Sequence, residues 1–257
     1  MKPILVIGDS ITDRYIYGRV TGIANEDPVL RFRPNGRVEE KTGGALFVRD
    51  ALREYSSADI FFYSISYSTI IRYVDSFYKR NIVIIDPINV GLPIYSNLLP
   101  ILEEHPSTII VWDDERVNSV LLENLVSSLY QYWLNEKPTI IVDSINSFWK
   151  DSFVSFRKIS SDEKSLMEHD YEGPLINEII TSSKEVVLSR KSGSSKTFPV
   201  PTIQYPIDTI GAGDIFLAMF TASLHAGSTD EDAIQLAIKY SAKSVMHQGC
   251  YIPPLED

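Results

Sequence analysis

Short unbroken apolar runs alternate along this chain with segments of helical period. Pro3 to Ile7 is a continuous apolar run ended by Gly8, the pattern of a strand buried on both faces. Ile60-Phe61-Phe62-Tyr63, Asn81 to Ile85, Thr108 to Trp112 and Thr139 to Val142 repeat it. Between the last two, Val120, Leu121, Leu125, Leu129 and Trp133 recur at the spacing of one helix face, predicting a helix over Val117 to Trp133. Gly43-Gly44-Ala45 opens another helix through Leu46, Val48, Ala51 and Leu52. From Asp59 to Asp143 the order predicts successive βα units, hence an α/β fold with a mostly parallel sheet. Glu185 to Ser189 is a further strand-like run. Ile215 to Leu224 is apolar nearly all round and predicts a buried helix. Ser228-Thr229-Asp230-Glu231 caps the next one, which carries Ala233, Leu236, Ala237, Tyr240 and Val245.

Residues 19–42 interrupt this rhythm. Pro28 to Arg33 and Arg37 to Thr42 read as two strands around an Asn35-Gly36 turn. An isolated hairpin is marginal in water, so this one is expected to pack on something, a second subunit being the natural choice. Residues 1–257 otherwise read as one domain, with 19–42 as a β lid.

The densest chemistry stands before the apolar helix, in Asp208-Thr209-Ile210-Gly211-Ala212-Gly213-Asp214. A glycine-rich turn feeding a helix presents free N–H groups and the positive end of the helix dipole to an anion. Asp214 adds a carboxylate that would repel a phosphate merely bound there. It makes sense as a base that takes the proton of a hydroxyl attacking phosphorus, while the N–H groups hold the developing charge. The plainer reading is tight packing, with Asp214 as a helix cap. Two more carboxylates, Asp9 and Asp13, follow the first strand, where open parallel sheets bind ligands; a turn with Asp9 as its cap and Asp13 solvated is the alternative.

Composition narrows the partners. At 257 residues, 44% hydrophobic and 23% charged, the chain can bury a sizeable core. A net charge of −10 argues against nucleic acid and against an anionic membrane surface. The single cysteine, Cys250, suits a cytoplasmic protein, and neither a signal peptide nor a membrane span is legible.

The stretch 208–214 resembles the Asp-Thr-x-Gly-Ala-Gly-Asp signature of the ribokinase-like (PfkB) carbohydrate kinases. Gly8-Asp9-Ser10-Ile11-Thr12-Asp13-Arg14-Tyr15 and the loose match at Ile23 to Val29 resemble that family's heptose 7-phosphate kinase branch. The resemblance implies a three-layer α/β/α sandwich with a small β lid. It also implies ATP-dependent phosphorylation of a hydroxyl on a sugar or sugar phosphate, with ATP, Mg2+ and a monovalent cation such as K+. By it, Asp214 is the base, and Gly211, Ala212 and Gly213 form the anion hole. Asp9, Asp13, Gly43, Gly44, Phe47 and Arg116 would face the acceptor; Ser160, Ser189, Lys191, Ser241, Ser244 and Gly249 would face the nucleotide. Glu163 would organise Mg2+ through water, and Asp208 and Thr209 would lie by the monovalent-cation loop. Lid-mediated homodimers are common in the family.

Three positions depart from its pattern. Phe47 stands where the family has an asparagine, Ser160 replaces another asparagine, and the glycines of the nucleotide-facing turn are displaced around residues 189–194. These keep two alternatives open. One is a non-catalytic binding or scaffold protein on the same fold; the other is a nucleoside kinase in which Phe47 stacks on a base.

Overall fold

The computed structural model describes residues 1–85, 104–112, 137–144, 153–166 and 176–256. The helix expected over 117–133 and the acceptor residue Arg116 lie outside them. Ten described strands form one sheet in the order β10-β9-β8-β7-β6-β5-β1-β3-β4, with β2 paired to β1. They are β1 (Ile4–Ile23), β2 (Leu30–Gly43), β3 (Ile60–Asp75), β4 (Arg80–Ile85), β5 (Thr108–Trp112), β6 (Thr139–Asp143), β7 (Phe156–Ser160), β8 (Asn177–Thr181), β9 (Glu185–Ser189) and β10 (Ser195–Pro199). The run from β3 through β1, β5, β6 and β7 to β8 is parallel, and β9 and β10 close one edge antiparallel.

The apolar runs are continuous because the sheet is buried on both faces. Successive side chains of a strand point to opposite sides. Accordingly Ile4 and Val6 join one core with Ile110, Ile141 and Ile179, whereas Leu5 and Ile7 join another with Ile109, Val111, Ile140 and Val142. The first core is covered by α1 (Gly44–Tyr55), α3 (Ala212–His225) and α4 (Asp230–Ser244); a short α2 (Ser161–Leu166) follows β7. Thr229 caps α4, its hydroxyl accepting the Asp232 N–H at 3.2 Å.

The lid differs from the expectation. Asn35-Gly36 does not join two strands: residues 30–43 are one strand, paired antiparallel with the outer half of β1 from Ile11 to Ile23. The register jumps from Ile16↔Val38 to Gly18↔Pro34, so Asn35-Gly36-Arg37 is a bulge in β2. The pairing energy goes to β1, which runs for 20 residues straight from the core sheet into the lid. β3 runs out beside it, and β4 returns antiparallel on β3. The outer half of β3 and β4 therefore add strands to the lid, which reaches beyond 19–42.

Candidate active site

Asp214 sits in the first turn of α3, where the sheet meets the base of the lid. Gly211 precedes the helix at φ +78°, a left-handed conformation open to glycine at little cost. A Cβ there would also lie 2.9 Å from the Phe47 ring. The Ala212 N–H reaches the Thr209 carbonyl at 3.3 Å and that of Ile215 reaches Gly211 at 2.9 Å. Among the described residues no acceptor faces the N–H groups of Gly213 and Asp214. This is the unsatisfied end of a helix opening on a cavity.

The Trp112 indole N–H donates to Asp214 Oδ1 at 2.9 Å. Burial pushes the Asp214 carboxyl up to about 7, Asp143 and Asp13 adding to the effect against the pull of Lys158 and of the indole. Lys158, on β7, donates to Asp143 Oδ2 at 2.7 Å. Burial lowers the pKa of its ammonium, but Asp143, Asp214 and Glu163 outweigh this and hold it protonated.

A cavity of about 500 Å³ opens beside the N-terminus of α3. Its polar floor includes Lys158, Ser160, Glu163, Thr209 and Gly213, while Val186, Phe216, Ile238 and Val245 supply apolar walls. Of the expected nucleotide residues, Ser160 and Ser241 line it. Ser189, Lys191, Ser244 and Gly249 do not. Lys191 is exposed on the β9–β10 turn, and its neighbour Arg190 is committed to Asp230 and Glu231 on α4, at 3.1 Å each. Ser244 is buried with its hydroxyl on the Ser241 carbonyl at 2.8 Å. Gly249 donates its N–H to Asp208 Oδ2 at 3.0 Å.

Glu163 has a second task. Its Oε2 accepts the Ser160 N–H at 2.7 Å, and Ser160 Oγ accepts the Glu163 N–H at 3.1 Å. Ser160-Ser161-Asp162-Glu163 is thus a capping box opening α2. Among the described residues no group of three or more His, Cys, Asp or Glu side chains could hold a metal. With one Glu163 oxygen left to face the cavity, this donor set fits a Mg2+ carried in by nucleotide phosphates and held through water. Asp208 braces the loop, its Oδ1 accepting the Ile210 N–H at 3.1 Å and its Oδ2 that of Gly249, and the Thr209 carbonyl takes the Ala212 N–H.

On the lid side, Asp13, Gly43 and Gly44 do come together. A Cβ on Gly43 would lie 2.5 Å from Asp13 Oδ2, and one on Gly44 3.0 Å from the Asp9 carbonyl. Asp9 is buried and accepts the Ser66 hydroxyl. Asp13, only 2% exposed, is already engaged: Arg72 Nε of β3 donates to its Oδ1 at 2.6 Å, and the Cys250 thiol stands 3.7 Å from its Oδ2. Burial pushes the Cys250 thiol up, Asp214 and Asp13 adding to it, so the group stays neutral. Phe47 does not line an open pocket. It is 2% exposed, in the core shared by α1 and α3, with its ring against Gly211. Sequence reasoning missed Arg72, a cation within the run Ile70-Ile71-Arg72-Tyr73-Val74, and that is the signal that could have found it. Lys158 opens the stretch where the resembled family carries Lys-Pro-Asn-x-x-Glu, but was given no role.

With this geometry in view, the comparisons place the fold. The family model for pfkB family carbohydrate kinases matches residues 171–257. No curated protein matches the sequence. The ribokinase of Thermotoga maritima superposes with a TM-score of 0.73 at 17% identity, over 97% of this chain and 95% of that one. An Arabidopsis thaliana ribokinase complexed with ribose and ATP gives 0.68 at 13%, over 96% and 94%. A Burkholderia thailandensis nucleoside kinase in complex with inosine gives 0.67 at 15%, over 98% and 93%. The chain therefore has the ribokinase-like α/β fold. No helix among the described residues is long and apolar enough to cross a membrane.

Proposed function

We propose that this chain is a PfkB-type phosphotransferase that moves the γ-phosphoryl group of ATP to a hydroxyl of a sugar, sugar phosphate or nucleoside. The observation that carries the reading is Asp214. A carboxyl pushed up to about 7 stands in the first turn of a helix whose free N–H groups open on a cavity of about 500 Å³. A base works best with a pKa near the working pH. Ionised, Asp214 takes the acceptor hydroxyl's proton as that oxygen attacks phosphorus, and the N–H groups of Gly213 and Asp214 hold the charge on the transferred group. Mg2+ entering with ATP would neutralise phosphate charge, with Glu163 on the cavity wall to hold its waters. The adenine fits the apolar wall of Val186, Ile238 and Val245.

Ribose and inosine, held by two of the similar structures, widen the acceptor class beyond heptose 7-phosphate, which the comparisons do not single out. A second reading, a nucleotide-binding protein without transfer, is favoured by one observation: Arg72 and Cys250 occupy the space around Asp13. The test is ATP calorimetry beside a coupled ADP-release assay over ribose, fructose, sugar phosphates and inosine. Transfer to any acceptor supports the kinase. ATP binding with no transfer to any supports the second reading, and no ATP binding overturns both.

We also assign a cytoplasmic homodimer formed through the lid, which leaves Val20, Val38, Tyr67 and Val83 exposed. Light scattering at micromolar concentration is expected to give twice the 29.0 kDa chain mass, and Val38→Lys with Val83→Lys to halve it. A monomeric wild type removes this assignment.

A further inference from the structure

Four residues stand in register at the carboxyl ends of neighbouring strands. Gly8 of β1 pairs with Trp112 of β5, Trp112 with Asp143 of β6, and Asp143 with Lys158 of β7. Each stands two residues beyond an apolar side chain of the first core: Val6, Ile110, Ile141 and Phe156. Side chains alternate between faces along a strand, so the row lies on the face that α1 and α3 cover. The glycine makes room for the tryptophan. A Cβ on Gly8 would lie 2.5 Å from the Trp112 carbonyl oxygen and 2.9 Å from its Cβ. The indole N–H then reaches Asp214 Oδ1 at 2.9 Å, whereas the ammonium at the end of the row gives its hydrogen bond to Asp143.

The donor that meets the base is therefore neutral. An indole N–H donates and does not accept. It ties one carboxyl oxygen without competing for the proton that the other is to receive. A cation bonded in the same place would hold the carboxyl ionised at low pH and make it a poor base. Among the described residues no other donor is bonded to the Asp214 carboxyl, so this contact alone decides by hydrogen bond which oxygen is free. A buried tryptophan usually finds some partner for its N–H, and a backbone carbonyl would serve. Here the partner is the one acidic side chain in the first turn of α3.

Resting on the kinase reading, we infer that Trp112 is a positioning residue for phosphoryl transfer: its indole tethers Oδ1 of Asp214 and leaves Oδ2 to take the acceptor's proton. In the step, the acceptor oxygen bonds to Pγ as the bond from Pγ to the bridging oxygen breaks. The electron pair leaves with ADP, the acceptor proton passes to Oδ2, and the indole keeps its own.

Trp112→Phe keeps a large ring and removes the donor. Transfer from Mg-ATP is measured across pH for both proteins, with whichever of ribose, fructose, the sugar phosphates and inosine the wild type turns over fastest. Positioning predicts that kcat at high pH falls about tenfold or more while the KM for ATP stays within about twofold. The acid limb of kcat/KM is also expected to move to higher pH, because a hydrogen bond to the ionised carboxyl is lost. The other groups whose charge acts on Asp214, namely Lys158 on β7, Asp143 on β6 and Asp13 on β1, with the Cys250 thiol, are untouched by the substitution. A side chain that only packs lowers stability and leaves the limb where it was. Should Trp112→Phe fold poorly, benzothienylalanine at position 112 keeps the shape of the indole with sulfur in place of the N–H, and is expected to show the same loss and the same movement. An unmoved acid limb, or an unchanged kcat at high pH, overturns the role of Trp112 and leaves the kinase reading standing. A wild type that transfers phosphate to no acceptor overturns both.

Discussion

Asp214 divides the site into two halves of opposite character. On the nucleotide side stands an open cavity floored by Ser160, Gly213 and Ser241, small residues that leave room. On the lid side Asp9, Asp13, Gly43 and Gly44 come together, but the space beside Asp13 is taken. Asp13 is paired with Arg72, Cys250 stands beside it, and Phe47 packs behind the anion hole. The difference teaches how such a site is divided. On the proposed function, phosphate recognition would rest on backbone N–H groups at a helix start, which no side-chain substitution removes. Acceptor recognition would rest on side chains of the lid strands and a helix.

The comparison breaks first at its hinge. Asp214→Asn keeps the helix start and an acceptor for the Trp112 indole but removes the base. General-base catalysis contributes about 10²–10⁴-fold, so single-turnover phosphoryl transfer is expected to fall by that much. ATP binding should hold or tighten as a negative charge leaves the anion pocket. A variant within threefold of the wild type would place the base elsewhere.

Phe47→Ala tests the lid side. If Phe47 is core, the change costs about 3–5 kcal/mol in a denaturant melt, because it opens a cavity under Gly211 that neither α1 nor α3 can close. If Phe47 lines the acceptor site, stability holds and acceptor binding shifts instead. Burial at 2% predicts the first outcome.

A smaller effect is set by pH. A base acts only when ionised, and Asp214 loses its charge as pH falls through about 7. Below that point kcat/KM is expected to drop about tenfold per pH unit. Stability runs the other way. A carboxyl raised in the folded state favours folding at low pH, and this contribution is lost as pH rises from the ordinary 3.8 through about 7. Asp214→Asn should therefore raise Tm more at pH 8 than at pH 5. The Trp112 indole resonance, bonded to Asp214 Oδ1, follows the titration directly. Its midpoint near 4 would show a carboxyl that water reaches freely.

The same division decided what the sequence could reveal. The 208–214 turn, the buried strands and the helix from Ile215 were legible because each is local: glycine spacing or an apolar run fixes it within a few residues. The lid was misread because strand pairing is a long-range choice. Nothing near Asn35-Gly36 says that residues 30–43 prefer the outer half of β1 to each other. β1 itself was cut short at Gly8-Asp9, a turn signal that pairing with β3 overrides. Arg72 was missed for a related reason. It draws its meaning from a carboxylate on another strand, 59 residues away in the chain.

The smallest prediction returns to the open half. Ser160 stands where the resembled pattern has an asparagine, and the change reads at first as erosion. The structure gives the serine a task of its own, since Ser160 and Glu163 cap α2 reciprocally. The box stands in the sequence as Ser160-x-x-Glu163. Ser160→Ala removes one of the two bonds and is expected to cost about 1 kcal/mol. It should also loosen Glu163, whose carboxylate is aimed by the Ser160 N–H. The consequence for function is specific. If Glu163 organises Mg2+ through water, Ser160→Ala should raise the Mg2+ concentration needed for half-maximal ATP binding by a few-fold, while binding of ATP at saturating Mg2+ stays within twofold. Ser160→Asn separates cap from ligand: asparagine caps as well as serine, so stability should hold. If the apparent Mg2+ affinity is the same in all three proteins, Glu163 is a helix cap and no more.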